Sequence, residues 1–243
     1  MPTFPTVIEV VNQVAAEVGV NQSPDPYNSP DPQMVKLLAL LTVAGQDLVE
    51  EVEGGWAHLR GHYDQTVGAG IDTSGSYDLP SGFHHIIDGT PWNRTLRWPV
   101  YSLTGVRQQE LEANALTSAF MAPLMRLVNN RLEVYPRPVA AGTRISFEYA
   151  TENWLAVGSA SPSKFVPTQA TDVVWFPMNL ITRLLRLKFL QAVGLDSVAA
   201  QVDFERTLSR SLGRDRDAPV LSICGPANGP KLLDEDNVPD LIG

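Results

Sequence analysis

A single cysteine, Cys224, stands in the 243-residue chain. That excludes an intrachain disulfide framework and leaves too few thiolates for a cysteine-based zinc site. Its neighbours Ser222, Ile223, Gly225 and Pro226 bring no positive charge to activate a thiol, so Cys224 reads as a small apolar residue. Long apolar runs are also missing. Residues 35–44 form the longest such stretch, and it is too short and too interrupted to span a bilayer. The opening Met1-Pro2-Thr3-Phe4-Pro5 has no basic segment followed by an apolar core, so no secretory signal is expected, and the expected location is the cytoplasm of the cell that makes it. Positive charge is scarce, with 18 Lys and Arg against 27 Asp and Glu, a formal net charge of −9. Proteins that grip nucleic acid through phosphate neutralisation carry a basic footprint, and the chain as a whole does not.

Enzyme signatures are thin as well. The sequence holds no phosphate-binding Gly-rich loop followed by Lys-Ser/Thr, no His-Glu-x-x-His and no Gly-x-Ser-x-Gly. Gly68-Ala69-Gly70 lacks the third glycine of a dinucleotide fingerprint and reads as a turn. His58 and His62 have i, i+4 spacing, which on a helix permits metal binding, but they follow Gly54-Gly55 in a weakly periodic stretch and read as surface or interface histidines. His84 and His85 are adjacent and are expected to face different directions. Glu148 and Glu152, near Tyr149 and Trp154, are the best carboxylate pair for glycosidase chemistry, which needs one acid and one nucleophile or base. Surface strands commonly carry such acids. Asp234-Glu235-Asp236 reads as a solvated charge run. No cofactor and no metal is expected.

What is present is a pattern of helices at the two ends. Hydrophobic residues make up 44% and charged residues 19%, the proportions of a globular chain. Thr6 and Glu9 suit a capping box, and Val7, Val10, Val11, Val14 and Val18 then recur on one helical face up to Gly19. Pro24, Pro26 and Pro30 make residues 21–32 a loop. Asp31 then caps a second helix with Pro32 at its first position, running to about Glu53 with Val35, Leu38, Leu41, Leu48 and Val52 expected inward. From Trp56 to about Asp172 the helical period fades. Residues 92–100, 127–135 and 143–149 are predicted strands, 81–87 and 104–115 short helices, and Asp88-Gly89 and Asn129-Asn130 are turn signals. Helix returns near Pro177, with Leu180, Leu184, Leu187, Leu190 and Val193 in phase up to Gly194. Asp196 caps a last helix carrying Val198, Val202, Leu208 and Leu212. After Arg216 the chain turns polar and proline-rich.

Amphipathic helices must bury their stripes, so the two terminal pairs are expected to meet. The expected fold class is mainly α with a β-rich insertion (α+β): a four-helix core from residues 1–55 and 173–216, an insertion at 56–172, and an extended tail at 217–243. All five tryptophans, Trp56, Trp92, Trp98, Trp154 and Trp175, lie in or beside that insertion. They are expected to fill a small β core or to anchor subunit contacts, in preference to lining a ligand cleft. Charge is uneven: residues 1–53 hold eight acids against Lys36 alone, whereas 183–216 hold seven basic residues against four acids. Such asymmetry suits contacts between copies, and it equally suits solvated helix faces.

Several segments resemble the head-to-tail adaptor (connector) proteins of tailed bacteriophages of the short-tailed type. They are Val7-Ile8-Glu9-Val10-Val11, Asp31-Pro32-Gln33-Met34-Val35-Lys36-Leu37-Leu38-Ala39-Leu40-Leu41, and Gly45-Gln46-Asp47-Leu48. The strongest is Tyr77-Asp78-Leu79-Pro80-Ser81-Gly82-Phe83-His84-His85-Ile86-Ile87-Asp88-Gly89-Thr90-Pro91-Trp92-Asn93-Arg94, in which His84 stands where relatives often carry an aspartate. Ile145-Ser146-Phe147-Glu148-Tyr149 with Asn153-Trp154, and Leu187-Lys188-Phe189-Leu190 with Gly194-Leu195-Asp196, are similar to further shared segments. The likeness covers roughly residues 6–216.

The resemblance implies a non-enzymatic structural virion protein made in the bacterial host cytoplasm and placed at the head-tail junction. It implies a homo-oligomeric ring of about twelve copies between portal and tail that extends the DNA channel. Its partners would be the portal protein, tail or nozzle proteins and sister copies, with no membrane contact and no sequence-specific DNA binding. An acidic channel wall would let DNA slide, because it offers phosphates no counterion-release gain. Pro219-Val220-Leu221-Ser222-Ile223 has the composition of a segment that docks by strand addition. The expected portal or subunit contacts are therefore Val220, Leu221, Ser222, Ile223, Leu232 and Leu233. The alternatives are a virion-associated peptidoglycan hydrolase and a carbohydrate-binding module.

Overall fold

The computed structural model describes residues 4–52, 54–66, 75–113, 124–135, 139–158 and 160–215, with backbone alone at 111 and 112. The helix α1, Val7–Val18, begins where Glu9 Oε2 accepts from both the Thr6 backbone N–H (2.7 Å) and its hydroxyl (2.9 Å). It ends at Gly19, whose φ of 76° gives the left-handed cap that only glycine adopts without cost. Asp31 Oδ1 accepts from Gln33 N at 2.9 Å to start α2, Pro32–Glu50. The chain then makes β1, Arg60–Thr66; β2, Ser76–Asp78; β3, Phe83–Ile86; β4, Trp92–Asn93; β5, Trp98–Pro99; and β6, Tyr101–Ser102. A short helix α3, Gly105–Ala113, follows. Next come β7, Leu124–Val128; β8, Arg131–Tyr135; β9, Arg144–Thr151; β10, Leu155–Val157; and β11, Asp172–Val174. The last helices are α4, Met178–Val193, and α5, Val198–Asp215.

The strands form three sheets. The first runs β1-β9-β4-β5, with β3 also paired to β9, all antiparallel. The second runs β2-β8-β7-β6, with β6 parallel to β7. Ile145 and Phe147 from the first sheet share one core with Tyr77, Met125, Leu132 and Val134 from the second, so these two sheets pack face to face. The third sheet is the pair β10-β11. It belongs to the helical side: Leu155, Val174, Trp56, Trp154 and Phe176 join Val10, Leu41, Leu48, Leu180 and Leu185 in the larger core. The backbone of α1 is stitched to this sheet through Val174 N to Pro5 O (2.8 Å) and Ile8 N to Ala170 O (3.0 Å).

This architecture overturns the mainly α expectation. Among the described residues there are five α-helices and eleven strands in three sheets, an α+β mix rather than a four-helix core carrying a small β insertion. The physical reason is that many of these strands hide from a pattern search. β1 reads Arg-Gly-His-Tyr-Asp-Gln-Thr and alternates only between exposed and half-buried, so it shows no apolar period. β4, β5 and β6 have two residues each, too few for any period to register. Residues 81–87, a predicted helix, form a turn and then β3, because Phe83 and Ile86 pack on β9 beside Tyr149 across a register shift at His85. The predicted strand 127–135 is a hairpin that reverses at the expected turn signal: Asn129 and Asn130, with φ of 49° and 59°, make the left-handed two-residue turn between β7 and β8. In α2 the buried stripe is Met34, Leu37, Leu41, Ala44 and Leu48, so Val35, expected inward, points to solvent.

Candidate interaction surfaces

The corner between α4 and α5 is sharply built. Gly194, with φ of 78°, ends α4, and Leu195 N donates back to Leu190 O at 2.9 Å. Asp196 Oδ1 then accepts from Val198 N at 3.1 Å and starts α5. Helix α5 buries Ala200 and packs Phe204, Leu208 and Leu212 against the core. Its first turns leave Val198 69% and Val202 49% exposed, one turn apart on the other side. Val193 and Leu195 are exposed beside them. Lys36 Nζ reaches the Ala192 carbonyl at 2.8 Å, which brings the start of α2, with its exposed Val35, to the same corner. The sequence placed Val198 and Val202 in phase with Leu208 and Leu212. The geometry separates them, because ten residues of drift at 3.6 per turn rotate the first pair off the buried side.

A second apolar surface sits on the β side. In the β4–β5 hairpin, buried Asn93 accepts through Oδ1 from Thr95 N (3.1 Å) and Leu96 N (3.0 Å). Arg94 Nε donates to Ser146 Oγ at 2.7 Å and Thr95 Oγ1 to Gly142 O at 2.9 Å, so the loop is pinned to the sheet. Within this pinned hairpin Leu96, in the loop, and Trp98, at the start of β5, are each 54% exposed, and Tyr101 follows at 56%. Beside it runs a groove of about 710 Å³ whose walls include Ile86, Pro91, Pro99, Val100, Leu103 and Met125.

The residues singled out in the sequence are dispersed. His58 lies in the short turn Ala57–Leu59 and His62 in β1, so they share no helical face. His84 and His85 converge, against expectation: their Nδ1 atoms stand 2.8 Å apart, within hydrogen-bond reach of each other. Among the described residues no group of three His, Cys, Asp or Glu side chains is arranged to hold a metal ion. Glu148 lies in β9 and Glu152 in the bend that follows it, and both are exposed. Trp56 and Trp154 are fully buried in the larger core, Trp175 stacks on Phe4 at 5.1 Å, and Trp98 is exposed, so they line no common cleft. Val220, Leu221, Ser222, Ile223, Leu232 and Leu233, the tail 217–243, Cys224 and Gly68-Ala69-Gly70 lie outside the described residues.

Two electrostatic clusters escaped the sequence. Asp172, 1% exposed, accepts from Lys164 Nζ (3.0 Å), Thr168 N (2.9 Å) and Gln169 N (3.0 Å). Burial pushes its pKa up, but these donors outweigh burial and hold the carboxyl below its ordinary value. Burial, with the Asp172 charge adding to it, pushes the Tyr27 hydroxyl up to about 12. The second cluster joins distant segments: Asp215, the last residue of α5, accepts from Ala57 N at 2.9 Å and faces His58 Nδ1 at 3.4 Å. His58 sits among Phe4, Trp56 and Phe176, and this burial lowers its pKa against the opposing pull of Asp215. No signal in the sequence links residue 58 with residue 215.

No described helix is long and apolar enough to cross a membrane. The chain matches no known protein family and no curated protein.

Proposed function

We propose that this chain is a structural subunit of a tailed-phage particle, a head-to-tail adaptor that forms a ring between the portal and the tail and lengthens the DNA channel. The observation that carries the proposal is the pair of exposed apolar surfaces on separate parts of one chain, one at the α4–α5 corner and one on the β4–β5 hairpin. Exposed apolar patches of this kind mark association sites. A closed ring of identical copies needs a heterologous contact, in which one patch of each copy meets a different patch of the next. In this reading Val193, Leu195, Val198 and Val202 of one copy meet Leu96, Trp98 and Tyr101 of its neighbour. The sequence resemblance to short-tailed phage adaptors supplies the portal as the docking platform and the virion as the setting. The acidic excess of the chain, net −9, fits a channel along which DNA slides without holding.

The test is to mix the purified chain with its cognate portal protein and image the product by electron microscopy. One added ring on the portal is expected. A portal that stays bare at saturating chain concentration overturns the proposal.

A further inference from the structure

Three arginines line a cleft of about 400 Å³ where the end of α5 meets the start of α4 and the Trp56–His58 turn. We infer that this cleft is a binding site for a dianionic phosphate group, an inference independent of the ring assembly. Arg210 and Arg214, one helical turn apart on α5, form one wall, and Arg183 of α4 forms another. Arg183 is partnered by Asp203 at 3.4 Å. Among the described residues no carboxylate forms an ion pair with Arg210 or Arg214. Asp215, the acid in the lining, turns instead to Ala57 N and His58.

Two guanidinium groups one turn apart repel each other. Their place in the last turns of α5 is tolerated because that end of the helix is negative. Together they match the two negative charges of a phosphate, which guanidinium groups bind through paired N–H donors. The other wall adds to this. Pro177 and Asn179 line the cleft at the start of α4, and Pro177 provides no side-chain cap, so the positive end of a 16-residue helix borders the same space. The half-buried Ser211 hydroxyl supplies a further donor at the lining. In a chain carrying a net charge of −9, this is a local surplus of positive charge in a concave place. The chemistry is that of a phosphate, from free inorganic phosphate or a phosphate monoester. A nucleic-acid backbone offers a single charge per group and would use the whole arginine row Arg206, Arg210 and Arg214 on α5.

Calorimetric titration of the full chain with inorganic phosphate, at near-neutral pH and fixed ionic strength set by chloride, tests this. Saturable binding is expected. The exposed pair Arg210→Ala and Arg214→Ala should weaken it at least about tenfold, while Arg206→Ala, outside the lining, leaves it unchanged. Circular dichroism and the urea midpoint establish that each variant is folded, and Arg210→Lys with Arg214→Lys, which keeps the charge, should retain part of the affinity. No binding of phosphate overturns the inference, as does equal binding by the Arg210→Ala, Arg214→Ala variant. A parallel titration with a short single-stranded DNA separates the sources. If DNA binds, phosphate does not, and Arg206→Ala weakens DNA as much as the pair does, α5 is a backbone-phosphate surface and the inference fails.

Discussion

Replacing Gly45 by alanine sets two opposed effects against each other. Gly45 lies in the middle of α2, where glycine is about 1 kcal/mol worse than alanine. On helix propensity alone, Gly45→Ala stabilises the protein. The added Cβ, however, would sit 2.6 Å from Trp154 Cδ2 and closer still to Cε2 and Cζ2. The indole cannot step aside easily. It is fully buried, its Nε1 donates to Phe165 O at 2.9 Å, and its backbone is held by Trp154 N to Lys164 O and Trp175 N to Trp154 O. Overpacking of a tight core costs about 1–3 kcal/mol, and a buried ring that must move by roughly an ångström belongs at the top of that range. The net expectation is a loss of about 2 kcal/mol, which for a chain of this size lowers Tm by about 4–8 °C. Urea unfolding followed by tryptophan fluorescence measures it. Trp154→Phe makes the colliding ring smaller, so the double variant should recover part of the alanine penalty in a double-mutant cycle. A Gly45→Ala protein more stable than the parent refutes the packing argument.

Two further outcomes follow from the buried polar groups. Asp172→Ala leaves the Thr168 and Gln169 amides and Lys164 without their acceptor and should cost about 3 kcal/mol, measured by urea midpoint; a loss below about 1 kcal/mol contradicts the assigned network. Stability should also depend on acid in two separate windows. His58 is harder to protonate folded than unfolded, so below its ordinary 6.5 the unfolded chain binds the extra proton and stability falls until pH reaches the lower folded value. Asp172, whose folded pKa lies below the ordinary 3.8, contributes stability above that value that is lost as pH falls through the folded pKa. His58→Phe should flatten the upper window and spare the lower, and an unchanged upper slope in that variant removes His58 as its cause.

The terminal helices were legible because their signals are local. Thr6 with Glu9, Asp31 with Pro32, and Asp196 before Val198 each satisfy backbone donors within three residues, and each does so in the structure. Gly19 and Gly194 end their helices in the left-handed conformation that their position demanded. The β region was less legible because its order is set by pairing at a distance. β9 carries β1 on one side and β3 and β4 on the other, and strands of two to four residues gain their identity only from that partner. Trp154 was visible as an aromatic beside an acid, yet its place against Gly45 depends on a contact across more than a hundred residues. The same holds for Asp215 on Ala57 and for the arginine cleft, which assembles residues from positions 56 to 215. The exposed valines of α5 misled the helical pattern for a simple reason: period shows which residues share a face, and only packing shows which face is covered.

In the proposed ring the α4–α5 corner of one copy meets the β4–β5 hairpin of the next. Native mass measurement of two complementary variants, Val198→Asp with Val202→Asp, and Trp98→Asp, tests this contact. Each variant retains one of the two surfaces, so each alone should be monomeric and an equimolar mixture should form a one-to-one heterodimer and nothing larger. Rings formed by either variant alone, or a mixture that stays monomeric where the parent chain assembles, would rule out this contact.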